Sequence, residues 1–263
     1  MRFLSFDLEC VLDADAGRRV YGFAGTHREV REQMRQARRE ESQGKTDFLP
    51  PAFWRVVSVG VMGVDTMKGR VHLAAESQSE PSLVQWFADF VDLMGRPQLV
   101  SWNGNGFDLS VCRYRALLYG INLTPIYGKD ARWRDESYLY RYSERHVDLM
   151  DALANYGASP NHKLAEVARI AGLPCKTVAT GADVESLVEA EDWARIEAYV
   201  KEDALVTGFL FLRWQLTRGQ VTRVEFDRTL DLLGAEVAET HPEFARAAGA
   251  WRREHLQLVE ATA

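Results

Sequence analysis

Two carboxylates stand one residue apart in the apolar run FLSFDLEC near the start of the chain: Asp7 and Glu9, with Leu8 between them. Side chains of a strand alternate between faces, so both acids point the same way. Like charges that close repel, and burying them without a partner is costly. A bound cation, a proton kept by one carboxylate, or exposure at the strand end would each resolve the conflict. Asp108 follows Phe107 after the turn sequence Asn103-Gly-Asn-Gly and opens a helix, where the helix dipole favours a carboxylate. Tyr199 and Asp203 lie one turn apart on another predicted helix and share a face. Taken singly, the three also fit a solvated strand end, a helix-dipole partner and a surface Tyr–Asp pair.

The elements that must hold these residues follow from periodicity. Residues 2–8 read as a first strand. RVVSVGVMGV (55–64) is a β-branched apolar run that pairs with GRVHLAAES (69–77) across a turn at 65–69. Residues 81–94 carry Leu83, Trp86, Phe87, Phe90, Val91 and Met94 at helical spacing, with Pro81 suited to the start and Gly95 to the stop. A short strand is expected at 98–103, a helix over 107–120 ending at Gly120, and a short strand or helix entry in HVDLMDAL (146–153). Amphipathic helices follow at 162–173 and 190–216, and 219–263 is mostly helical. Hairpin-spaced strands followed by strand–helix alternation predict an α/β protein with a mixed sheet flanked by helices. With no linker-like break, residues 1–263 read as a single domain. Its core is 1–216, with an insertion at 11–50 and a helical C-terminal extension over 217–263.

Composition narrows the function classes. The 263 residues are 46% hydrophobic and 27% charged, ordinary for a soluble globular protein, with net charge −6. There is no global basic field of the kind that lets a non-catalytic binder grip nucleic acid by charge. The widely spaced Cys10, Cys112 and Cys175 argue against a zinc cluster or disulfide framework and fit a reducing, cytoplasmic setting. No apolar run approaches a membrane span, and the N-terminus is too short and acidic for a signal peptide.

In order, Asp7-x-Glu9, Asn103-x3-Phe107-Asp108 and Tyr199-x3-Asp203 resemble the three motifs of the DEDD superfamily of 3′–5′ exonucleases, in its tyrosine branch. The second motif is most similar to that of the proofreading exonuclease domain of family B DNA polymerases. The likeness covers roughly residues 1–215, and the HVDLMDAL and KLAEVARIAGLP stretches extend it. The histidine branch would place His where Ala198 stands. The resemblance implies an RNase H-like mixed five-stranded sheet. It implies hydrolysis of single-stranded nucleic acid from the 3′ end to 5′-mononucleotides, with Mg²⁺ or Mn²⁺ as cofactor. Two such ions about 3.5–4 Å apart can activate water and stabilise the leaving alkoxide, and hard oxygen ligands suit them. On this likeness Asp7 bridges both ions, Glu9 and Asp203 complete the one that prepares the water, and Asp108 holds the other. Tyr199 orients the attacking water, because a phenol is a poor base at neutral pH. Contacts to the 3′-terminal nucleotide are expected around Leu8, Cys10, Asn103 and Phe107. Cys10 departs from the family, where Thr often follows the first-motif Glu. A chain of this length leaves no room for the polymerase module, so a stand-alone nuclease is expected. DNA is the favoured substrate; exoribonuclease activity, or a non-catalytic nucleic-acid-binding module on the same fold, are the alternatives.

Outside the motifs, Arg28, Arg31, Arg35 and Arg38 form one stripe of a polar helix at 27–41. It reads as a solvated face among glutamates or as a grip on a nucleic-acid backbone. Residues 127–146 interleave Tyr127, Trp133, Tyr138, Tyr140 and Tyr142 with basic residues, either a single-strand-binding loop or core anchors. His146 and Asp148 are expected to be structural, and Asp13, Asp15 and Asp151 to be surface residues.

Overall fold

The computed structural model describes residues 1–128, 137–140, 143–175, 181 and 183–262, with side chains as far as Arg252. Five strands, β1 (Arg2–Leu12), β2 (Trp54–Asp65), β3 (Arg70–Glu76), β4 (Gln98–Ser101) and β5 (His146–Asp148), form one sheet in the order β3-β2-β1-β4-β5. β2 runs antiparallel to β1 and to β3, whereas β4 is parallel to both β1 and β5. The described helices are α1 (Ala14–Tyr21), α2 (His27–Glu41), α3 (Glu80–Leu93), α4 (Asp108–Tyr119), α5 (Thr124–Tyr127), α6 (Leu149–Leu153), α7 (Leu164–Ile170), α8 (Val184–Glu189), α9 (Trp193–Thr217), α10 (Arg223–Val237) and α11 (Pro242–Thr262). This mixed five-stranded sheet flanked by helices is RNase H-like, as the sequence led us to expect.

β1 is the central strand, and both of its faces are covered. Leu4, Phe6 and Leu8 pack with Val84, Phe87 and Leu109 on the α3/α4 side. Phe3, on the opposite face, meets Phe211 of α9 at 5.0 Å between ring centroids. A strand buried on both faces reads as a nearly continuous apolar run, and acids within it therefore stand out.

α9 lies unusually close to the sheet. Ser5 Oγ donates to the Ala204 carbonyl at 2.8 Å. A Cβ on Gly60 would collide with the Val200 carbonyl oxygen, and one on Gly208 would collide with Met62. Gly60 is the registered partner of Asp7. The helix backbone thus rests on β2 directly beside the first acidic residue of β1. Beyond α9, Phe226, Leu230, Leu233, Phe244 and Trp251 are buried in the same apolar cluster as Phe3 and Phe209. Trp251 also donates to the Ala171 carbonyl at 2.8 Å. The C-terminal helices are therefore packed onto this side of the fold.

The stretch expected as an insertion from residue 11 begins later. After a register shift between Glu9 and Cys10, β1 continues through Leu12, which pairs with Trp54. The following residues are anchored to the fold: Val30, Met34 and Leu49 pack on Leu12. The arginine stripe of α2 is largely used internally. Arg31 is buried, donates to the Leu12 carbonyl at 3.0 Å and pairs with Glu185 at 3.2 Å. Arg35 also pairs with Glu185, and Arg38 pairs with Glu41 at 2.6 Å. Arg31 is thus spent inside the fold, while Arg35 and Arg38 are paired but partly exposed.

Asp13 is likewise not a surface residue. It caps α1 through the Asp15 and Ala16 N–H groups and meets the buried Arg115 guanidinium at 2.8 Å. Arg115 also meets Glu80 at 2.5 Å, and Glu80 in turn accepts from the Val56 N–H at 2.7 Å. Burial pushes the Asp13 carboxyl up, but Arg115 and the capping N–H groups outweigh it and hold the carboxyl low. One buried cation therefore joins α1, α3, α4 and β2. Removing it takes from two buried carboxylates the cation they share, so Arg115→Met should cost about 3–5 kcal/mol in urea unfolding. Tyr119→Phe, which removes one hydrogen bond to Glu80 (2.7 Å), should cost only about 1 kcal/mol.

Candidate active site

β1 stops pairing with β4 at Ser5, opposite Val100. The next turns of chain lie at the carboxyl edge of the parallel strands, where α/β folds place their ligands. Asp7 and Glu9 project from β1 towards α9, and Asp203 meets them from that helix. Ligand oxygens of the three lie within 4.8 Å of one another. Glu9 and Asp203 are buried and Asp7 is half-buried. Three carboxylates converging in a desolvated place is the arrangement in which a cation is the natural counter-charge. An all-oxygen donor set suits a hard divalent ion.

Tyr199 is buried one turn before Asp203. Burial pushes its phenol far up, reinforced by the charges of Asp203, Glu9 and Asp7. It is therefore protonated at neutral pH. A Cβ on Gly181 would lie 3.9 Å from its hydroxyl, an ordinary van der Waals contact.

Asp108 reaches the site differently. It is not among the three clustered carboxylates. Its Oδ1 accepts from the Leu8 N–H at 3.1 Å, the backbone donor between Asp7 and Glu9 that β4 leaves uncovered. Burial pushes its carboxyl up to about 7, resisted by the backbone N–H donors and aided by the charges of Asp148 and Asp203. Leu8 is spent internally, its side chain in the apolar cluster under α3 and α4 and its N–H on Asp108. Its side chain is therefore part of the core. Cys10 packs against that same cluster, and burial with the Asp108 and Glu9 charges keeps its thiol protonated. None of the three cysteines forms a disulfide.

The turn ahead of Asp108 is held from below. Asp148, capping α6, accepts from the Asn103 N–H at 2.9 Å and the Asn105 N–H at 3.0 Å. His146 bridges Ser101 Oγ at 2.8 Å and Asn105 Oδ1 at 3.1 Å. Both residues are structural, as expected. Asn103 takes φ +67°, and its own side chain folds over Gly106, where a Cβ would lie 2.5 Å from Asn103 Oδ1. Asn103 is exposed and Phe107 half-buried at this edge. The sequence marks Asp148 as structural but not its partner, because nothing local shows which turn more than 40 residues away it will hold. Of the 127–146 stretch, Tyr138 is a core anchor whose hydroxyl donates to the Pro97 carbonyl at 2.6 Å. Trp133 and Tyr142 lie outside the described residues.

An RNase H-like sheet with an oxygen-only acidic cluster at its carboxyl edge defines the class of domain. The chain belongs to the family described as "Predicted 3'-5' exonuclease related to the exonuclease domain of PolB", whose profile matches residues 46–254. Asp108, Tyr199 and Asp203 fall inside that match, and Asp7 and Glu9 precede it. Exonuclease domains of this kind use divalent metals and act on nucleic acid. Among solved structures the chain is similar to the family B DNA polymerase from the hyperthermophilic archaeon Pyrobaculum calidifontis. The identity is 18% and the TM-score 0.48, over 91% of this chain and 29% of that one. The chain thus spans less than a third of that polymerase. No curated protein matches it. Among the described residues no helix is long and apolar enough to cross a membrane.

Two outcomes follow from this geometry. Mn²⁺ at a hundredfold excess over its dissociation constant should add about 2.7 kcal/mol of stability, seen as a rise in Tm of several degrees, and Asp203→Asn should abolish the rise. Burial lowers the His146 pKa to about 4, below its unfolded value. Between the two values the unfolded chain binds the extra proton, so stability falls as pH drops from about 6.5 towards 4, by up to about 3 kcal/mol. Urea midpoints across that window should fall more steeply for the natural protein than for His146→Gln.

Proposed function

We propose that the chain is a 3′–5′ exonuclease that hydrolyses single-stranded DNA ends to 5′-mononucleotides with two Mg²⁺ or Mn²⁺ ions. The observation that carries this reading is the convergence of Asp7, Glu9 and Asp203 within 4.8 Å, with the Tyr199 phenol beside them, in a member of this family. Asp7, Glu9 and Asp203 would hold one cation, and Asp108, across the Leu8 peptide, would serve a second. Such ions lower the pKa of a bound water and stabilise the charge that develops on the departing oxygen. Tyr199, fixed in its protonated form, positions the attacking water and takes no proton from it. The exposed Asn103 and half-buried Phe107, rigidly presented by Asp148 and His146, contact the terminal nucleotide. The favoured partner is accordingly the 3′ end of a single strand.

The test is degradation of 5′-labelled DNA and RNA oligomers side by side with Mg²⁺ or Mn²⁺. A one-nucleotide ladder receding from the 3′ end, faster on DNA, is expected, and EDTA and Asp7→Ala should each abolish it. Tyr199→Phe should slow the ladder roughly 10–100-fold through lost water positioning while leaving the metal-induced rise in Tm intact. A faster ladder on RNA would reassign the substrate, and no ladder from folded, metal-loaded protein would make this a binding module.

A further inference from the structure

Phe48 is an exposed aromatic residue on a hydrogen-bonded backbone. Its N–H is bound to Thr46 Oγ1 at 3.0 Å and its carbonyl accepts from Arg38 Nε at 3.2 Å. The next residue, Leu49, is buried and accepts the Trp54 indole N–H at 2.9 Å. Despite these anchors the Phe48 side chain is left 52% exposed. The ring lies 4.9 Å from that of Trp54 and 5.4 Å from that of Phe107, which is itself 5.4 Å from Trp54 and edge-on to it. The three rings form one cluster. Phe107 is peptide-bonded to Asp108, whose carboxylate holds the strand between Asp7 and Glu9. Trp54 and Phe107 pack on the Leu8 side of β1, the cluster adjoins Asp108 through Phe107, and the 13–50 segment supplies its outermost ring.

We infer that Phe48, backed by Trp54 and Phe107, is a base-stacking platform that positions the last nucleotides of a single strand entering the acidic site. This rests on the exonuclease reading for its substrate and adds a residue that none of the three motifs contains. Ring faces accept any base, so the platform confers a preference for unpaired bases and not for sequence. It also complements a net charge of −6, which gives the protein little long-range pull on a polyanion.

The experiment is fluorescence anisotropy with a 5′-fluorescein single-stranded DNA oligomer. One arm has a natural 3′ end and the other has its last three nucleotides replaced by abasic residues, with Ca²⁺ as the added cation. The natural protein should bind the natural end about 5- to 150-fold more tightly, the range for stacking one base. Phe48→Ala should lose that preference, Phe48→Trp should keep it, and Phe48→Leu, apolar but without a π face, should behave like Phe48→Ala. A Phe48→Ala protein that keeps the preference, or that weakens both oligomers equally, overturns the platform. The hydrolysis ladder separates this from the parent reading. A ladder with an unchanged base preference in Phe48→Ala sinks the platform alone. Base-dependent binding lost in Phe48→Ala, without any ladder, sinks the exonuclease and leaves the platform standing.

Discussion

Contact between the backbone of α9 and the face of β1 and β2 is the constraint on which the site depends. A helix normally packs on a sheet through a layer of side chains. Here Gly60 and Gly208 remove that layer, and Ser5 fills the gap with a hydrogen bond to the Ala204 carbonyl. The short spacing brings Asp203 within ligand distance of Asp7 and Glu9. It also buries Tyr199 against them. A side chain at position 60 would push the helix away at the residue registered with Asp7. The small residues of this sheet are therefore part of how the acidic cluster is assembled.

Concentrating carboxylates is unfavourable for folding, and the surroundings distribute the cost. Asp108 is moored by a backbone N–H rather than set among the other three. Asp148, whose charge also bears on Asp108, is turned towards the two N–H groups of the Asn103–Asn105 turn. Asp7, Glu9 and Asp203 are drawn together, and a hard cation there would relieve their mutual repulsion. Away from the site the same logic runs with a protein cation: Arg115 is the counter-charge for Asp13 and Glu80. Two acidic groups among the described residues thus contrast: one is closed by Arg115, and the other lies at the carboxyl edge of the sheet.

The strands and longer helices were legible because their periodicities are strong. The 27–41 helix is present over the stretch its polar pattern indicated, sealed by a Thr26–Glu29 capping box. Gly120 closes α4 in the left-handed conformation that its position suggested. The first strand runs longer than read, because Cys10–Leu12 pair with Trp54–Val56 across a bulge that no pattern of hydrophobicity marks. α1 was missed because its buried face is made of small residues, Ala14 and Gly17, which give a weak apolar signal. Its stability comes from the Asp13 cap and from packing on α2.

By itself the sequence determined the chemistry on offer: which carboxylates share a strand face, which Tyr and Asp share a helix face, and which family the ordered motifs resemble. Those are local facts, set by the periods of strand and helix. The tertiary structure alone decided which acids meet. Asp7, Glu9 and Asp203 converge, while Asp108 stops at a backbone N–H, and Asp13, alike in type, is claimed by an arginine from α4. The same holds for Arg31 and Arg35 of α2, paired with Glu185, and for Phe48, left outward beside Phe107. The reason is that partners distant in sequence are chosen by packing, and a carboxylate or a ring carries no local mark of which neighbour the fold will bring to it.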